Sequence, residues 1–335
     1  MTFQNFDERL INKFDKFNRK KINRFLQTHD LNFDELVEFS VAIYEDNNII
    51  ATGSFDGPVI KCLAVDPSYQ GSALTNKVIS KLMSEQFARG YHHLFIYTKP
   101  KNAQIFKELG FFEIMSIGDE VTLLENKPDG IGTFIDNLRN KRADGKTISA
   151  LVMNCNPFTK GHEHLIEMAS KNSDFVHVFI VEEDRSVFSF SDRLNLVKKG
   201  CSHLGNVSIH AGGPYIISAA TFPSYFIKDK GQVDVAHATL DLSIFAKFIA
   251  PALNISRRFV GNEPICAVTA MYNTIMEEIL PQHNIEVVVV ERLEVHNKEI
   301  SASRVRKHLE DKNFHELRTL VPDVTYRYLI DTIKN

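Results

Sequence analysis

Cysteine is scarce in this chain and never paired. Cys62, Cys155, Cys201 and Cys266 stand far apart with no ligand-like spacing, so they are expected to be reduced thiols of a cytoplasmic protein. A basic segment followed by an apolar core is also missing from the start, MTFQNFDERL, and no secretory signal is expected. No apolar run approaches membrane-spanning length, and IEVVVV reads as a buried strand. There is no strong charge of either sign. A formal net charge of -3 gives no bulk attraction to nucleic acid or to an anionic membrane, so neither is expected as a partner. Internal repeats and low-complexity tracts are absent. What remains is an ordinary soluble composition, 44% hydrophobic and 24% charged, on 335 residues, which is enough chain for two domains.

The two halves follow different patterns. From about Phe3 to Phe39 the spacing is helical, in FDERLINKFDKFNRKKINRFL. Strand-like runs follow: VEFSVAIYE, a turn at Asp46-Asn47-Asn48, IIATGSF and, after Asp56-Gly57-Pro58, VIKCLAV. ALTNKVISKLMSEQFARG reads as a helix stopped at Gly90, HLFIYT as a strand, and AQIFKELG as a short helix stopped at Gly110. The polar, charged stretch NLRNKRADGK, residues 137–146, reads as a linker. Beyond it the chain alternates: TISALVM, HEHLIEMAS, FVHVFIV, SDRLNLVKKG, NVSIH, then RRFVG, a helix from about Cys266 to Leu280, IEVVVV, and a helix beginning near Ser301. Strand–helix alternation with short connections predicts a doubly wound parallel sheet covered on both faces. Ligands of such sheets sit beyond the carboxyl ends of the strands, where strand order reverses.

The first strand of that second domain ends in NCNPFTKGHEHLI, residues 154–166. Gly161 allows a close backbone approach, and the helix start behind it offers free amides to an anion. Lys160 adds charge, while Thr159 and His162 add donors. The spacing alone is equally that of a strand–helix turn in which His162 caps or packs. His162 and His164 diverge on a helix and make a poor metal pair. Cys155 reads as a small buried residue rather than a nucleophile. A second cluster, EISASRVRKHL at 299–309, sets Ser301 and Ser303 at a helix start with Arg306 one turn along. That suits a polyphosphate, or simply a serine-capped surface helix. Two such clusters in this order in one doubly wound domain favour the phosphate reading.

T-x-G-H at Thr159–His162 followed by I-S-x-S-x-x-R at Ile300–Arg306 resembles the nucleotidylyltransferase superfamily over about residues 147–335. Threonine leads the first motif where many members have histidine, a variant found among adenylyltransferases. Gly261-Asn262-Glu263-Pro264 is similar to the superfamily's nucleotide-proximal loop. Residues 1–140 resemble GNAT-type N-acetyltransferases: LAVDPSYQGSALTNKVISKLM matches the turn that cradles a coenzyme A pyrophosphate, and NAQIFKELGFFEI a later helix–strand signature. Gln70 is followed by Ala73 and Thr75 where that family has small or glycine positions, which argues against acetyl-CoA itself while leaving room for a related pantetheine-bearing ligand.

With VEEDRSVFSFSDR, ATFPSYF and RRFVGNEP added, nearly the whole chain resembles the citrate (pro-3S)-lyase ligase family. The resemblance implies an AMP-forming acid–thiol ligase that activates acetate with ATP and acetylates the CoA-derived prosthetic-group thiol on the acyl carrier subunit of citrate lyase. It implies Thr159, Lys160 and His162 as catalytic residues. ATP would be held by Asn156, Gly161, Gly261, Glu263, Ser301, Ser303 and Arg306, with Mg2+ as counter-ion and no side-chain metal cage. Rival readings are an adenylyltransferase making a nucleotide cofactor, an acetyl-CoA-dependent acetyltransferase, and a nucleotide-responsive binding module. The 218–226 segment, SAATFPSYF, shapes an acyl pocket or is packing.

Overall fold

The structure is a computed structural model that describes residues 6–182, 186–222, 235–263 and 266–334. The chain divides into two compact units, residues 1–130 and 131–335.

The first unit is built on a seven-stranded sheet: β1 (Asp7–Asn12), β2 (Phe39–Glu45), β3 (Asn48–Asp56), β4 (Val59–Val65), β5 (Phe95–Thr98), β6 (Phe112–Ile117) and β7 (Val121–Glu125), in the order β1-β2-β3-β4-β5-β7-β6. Neighbours are antiparallel except β4 and β5, which are parallel and in register only at Val59–Phe95 and Ile60–Ile96. Helices α1 (Lys16–Gln27), α2 (Leu74–Ala88) and α3 (Ala103–Glu108) complete the unit. This is a mixed α/β arrangement, as expected from the sequence. Val41, Ile43 and Phe55 from the strands and Val78 and Leu82 from α2 share one core.

The continuous helix expected over about 3–39 is wrong. Residues 7–12 are an edge strand paired with β2, and only 16–27 are α-helical. An edge strand with Ile11 alone fully buried tolerates Asp7, Glu8 and Arg9 on its open positions, so its charges imitate a surface helix. At the Gln70 turn, Gly71 and Ala73 both adopt left-handed φ, +82° and +59°. The backbone bend a glycine would favour at 73 is therefore held by an alanine, at a cost of about 1–2 kcal/mol.

In the second unit α4 (Gly130–Arg139), absent from the sequence reading, runs through the first residues of the expected linker. It leads to β8 (Ile148–Met153), α5 (Lys160–Lys171), β9 (Phe175–Ile180), α6 (Phe190–Gly200) and β10 (Val207–Ala211). Helix α7 (Val235–Ile244) continues through a π-turn at Phe245–Ile249 into α8 (Ala250–Leu253). Then come β11 (Arg257–Gly261), α9 (Ala267–Ile279), β12 (Glu286–Val290), α10 (Ala302–Glu310), α11 (Phe314–Leu320) and α12 (Asp323–Lys334). All five strands are parallel, in the order β10-β9-β8-β11-β12. This is the doubly wound sheet the alternation predicts.

Two expectations about apolar runs fail. Val235–Leu253 is long and apolar enough to span a membrane by length and composition, although most of it is buried within the protein as a core helix. The strand IEVVVV ends the sheet instead of lying inside it, and Val289 is 46% exposed. Length and hydropathy do not report which strand is last.

Strand order reverses at β8. Its pairing with β9 runs over six positions, from Ile148–Phe175 to Met153–Ile180. With β11 it pairs only at Ser149–Arg257 and Ala150–Arg258. Beyond those two positions the ladder stops, which opens a crevice between the carboxyl ends of β8 and β11.

Candidate active site

The 154–159 turn enters that crevice and is held from below. Arg193 of α6 is wholly buried, and its Nη1 donates to Asn154 O (2.8 Å), Asn154 Oδ1 (2.9 Å) and Val181 O (2.7 Å), while Nε donates to Phe188 O (3.1 Å). One guanidinium thus ties the ends of β8 and β9 to the segment leading into α6. Cys155 is buried, and burial pushes its thiol well above the ordinary range, so it is no thiolate nucleophile at neutral pH.

Thr159 caps α5 with extended backbone. Its Oγ1 accepts from His162 N–H (3.3 Å), and its own N–H donates to His162 Nδ1 (3.1 Å), a reciprocal capping box with histidine in the usual glutamate place. With Nδ1 accepting, the ring proton resides on Nε2, which is left as a donor. Burial and the nearby Arg292 push the His162 pKa down to about 4, so the ring is neutral at pH 7. The capping reading of the motif is realised, and the cap leaves Nε2–H as a donor. The N–H groups of Lys160 and Gly161 start the helix ahead of its internal ladder. The Lys160 ammonium donates to Arg318 O (3.1 Å) in α11.

The second cluster lies directly on the first. A methyl added at Gly161 would stand 3.4 Å from Ile300 O. Ser301 caps α10 by accepting from Arg304 N–H (3.2 Å). Arg306 Nη1 donates to Asn156 O (2.5 Å) and Nη2 to Ser303 Oγ (3.1 Å). Arg304, two residues earlier, faces away and donates to Val295 O and Lys298 O, each 3.2 Å. Thr159, Lys160, Gly161, His162, Asn156, Ser301, Ser303 and Arg306 are thus gathered at the carboxyl edge of the sheet. Asn156 Oδ1 accepts from Phe188 N–H (3.2 Å), which commits that oxygen to the loop.

Gly261 ends β11, and its carbonyl accepts from Asn273 Nδ2 (3.1 Å). The Glu263 carboxylate accepts from Cys266 N–H at the start of α9 (3.0 Å) and pairs with Arg292. Pro264 lies outside the described residues. Arg292 also donates from Nε to Asn262 O (2.7 Å). Sequence reasoning missed Arg292 and Arg193. A cation two residues beyond the carboxyl end of IEVVVV was the available signal for Arg292. Nothing local marks Arg193, whose partners are backbone carbonyls distant in sequence.

The residues gathered around Thr159–His162 and Ser301–Arg306 are cationic or neutral and rich in N–H donors, which suits a multiply charged oxyanion. Among the described residues no group of three His, Cys, Asp or Glu side chains is placed to hold a metal ion.

Residues 148–329 match the citrate lyase ligase C-terminal domain family. The chain is 39% identical over 320 residues to the citrate (pro-3S)-lyase ligase of Klebsiella pneumoniae, covering 94% of each chain. It is 39% identical over 320 residues to that of Escherichia coli K12, covering 94% of this chain and 91% of the relative. It is 41% identical over 314 residues to that of Haemophilus influenzae, covering 92% of this chain and 94% of the relative. At this identity over nearly the full length of both partners, the chain belongs to the citrate lyase ligase family.

Proposed function

We propose that this enzyme adenylates acetate with ATP and passes the acetyl group to the prosthetic-group thiol on the acyl carrier subunit of citrate lyase, in the cytoplasm. One observation carries the adenylation: the two motifs meet where strand order reverses, with Arg306 on the Asn156 carbonyl and Gly161 against Ile300.

Acetate is ionised at neutral pH, so its attack on the α-phosphorus needs no general base. Catalysis reduces to alignment and to stabilising charge on the phosphates. The α5 amides, the Thr159 turn and the His162 Nε2–H receive the α- and β-phosphates. A neutral, preset donor suits this task, since it supplies a hydrogen bond without a proton to lose. Lys160 supports the charge. Ser301, Ser303 and Arg306 hold the phosphates that leave as pyrophosphate, with Arg306 turning from the Asn156 carbonyl to the nucleotide. Arg292 adds positive potential beside His162. Mg2+ would enter as a companion of the triphosphate: among the described residues no carboxylate cage is offered to it, and phosphates and water would ligate it. The thiolate then attacks the acyl carbon, a thioester forms, and AMP leaves. The first unit serves the CoA-like arm.

The test is acetate-dependent exchange of labelled pyrophosphate into ATP, without citrate lyase present. Exchange that requires acetate supports adenylation of the carboxylate. Exchange indifferent to acetate would remove the proposal and return the site to a nucleotide-cofactor adenylyltransferase.

A further inference from the structure

The first unit carries a feature that adenylation does not use. Phe14 and Phe17 are 79% and 69% exposed, one just before α1 and the other in its first turn. Residues 13–24 hold six basic side chains and one acidic, Asp15, in a chain whose net charge is negative. Asp15 is turned inward as the helix cap, accepting from Asn18 N–H (3.0 Å) and Asn18 Nδ2 (2.7 Å). Arg19 is spent on Val37 O (2.7 Å) and Glu35 O (3.1 Å). Lys13, Lys16, Lys20, Lys21 and Arg24 remain, and among the described residues none of the five has a carboxylate within ion-pair distance. Lys13 Nζ lies 5.2 Å from the Phe14 ring centroid and Lys21 Nζ 4.7 Å from that of Phe17.

We infer that this basic–aromatic face docks an acidic surface of the protein that brings the thiol. The inference rests on the proposed function and assigns it a partner-binding surface. Charge complementarity argues for an acidic occupant, because four unneutralised cations on α1 and Lys13 just before it are gathered in a net-negative chain. Anatomy argues for a protein. Exposed aromatic anchors ringed by cations form the desolvating centre of a protein interface. A bilayer is the poorer fit, because the apolar face of α1 is already spent on the core through Ile22 and Leu26, both wholly buried, and two side chains leave little area to insert.

The test uses the full-length enzyme in two forms, Phe14→Ser with Phe17→Ser, and Lys13→Glu with Lys16→Glu and Lys20→Glu. Acetylation of thiol-form citrate lyase is followed against lyase concentration and salt, beside acetate-dependent pyrophosphate exchange without lyase. Both variants are expected to keep wild-type exchange, which shows that they are folded, and to keep kcat within twofold. The KM for lyase should rise about tenfold or more. The wild-type KM should climb with salt, and that slope should flatten in the charge-reversed form. A lyase KM within twofold of wild type in both variants overturns the docking face alone. Binding of wild type to phosphatidylserine vesicles that is lost in the variants, with lyase KM unchanged, overturns it in favour of lipid. A wild-type enzyme without acetate-dependent exchange overturns instead the function on which the inference stands.

Discussion

His162 is anchored through one ring nitrogen and keeps the other as a donor. Nδ1 closes the α5 capping box with Thr159, and that contact fixes which nitrogen bears the proton. Replacing it by alanine removes a preset donor, and turnover in the exchange assay should fall about 10²-fold or more. ATP affinity should change far less, since the loss falls mainly on the transition state. A folded variant with near-normal turnover would strike His162 from the catalytic residues. The motif was legible at this scale because Thr159 to His162 is local. The sequence left cap and catalyst open; the cap is now seen, and the catalytic role is what the alanine variant tests.

Histidines also set an acid limit. His177 and His210 are buried on adjacent strands, Nδ1 to Nε2 at 2.9 Å. Burial and the nearby Lys141 push His177 down to about 4, while burial, with His177, Lys141 and Lys198 nearby, pushes His210 to about 3. In the unfolded chain each titrates near 6.5. Below that value the unfolded state binds protons that the folded state refuses, so stability falls as pH drops from about 6.5 towards 4. Urea midpoints at pH 7.5 and 5.5 should show the fall, and a His177→Leu, His210→Leu double variant should show a smaller one. An unchanged pH dependence in the double variant would contradict this assignment.

At the scale of elements, the first unit depends on a close approach of α2 to β3. A methyl at Gly53 would meet Val78 Cγ1 at 2.6 Å and Leu63 Cδ1 at 2.7 Å. Gly53→Ala should therefore destabilise by about 1–3 kcal/mol through overpacking, measured by denaturant unfolding. A neutral result would mean that α2 can lift without loss. Elements were readable where hydrophobic period and local stops agree, as in β8 with α5 and β11 with α9. They were hidden where context overrides local pattern. The charges of β1 are tolerated because it lies at an edge, and α7 with α8 is apolar on most sides because it is buried. The long-range ties of the site, Arg193 to Asn154, Val181 and Phe188 and Arg292 to Glu263, belong to tertiary structure and leave no spacing to find.

For the whole molecule, two units with different sheets divide the proposed reaction between an adenylating site and a unit that serves the thiol arm. The central claim is that an acetate oxygen attacks the α-phosphorus in the crevice beside Thr159 and Arg306. Acetate labelled with ¹⁸O in its carboxylate, turned over with ATP and thiol-form citrate lyase, tests it directly. One labelled oxygen is expected in the phosphate of AMP and none in pyrophosphate. Label in inorganic phosphate, or AMP without label, would contradict it.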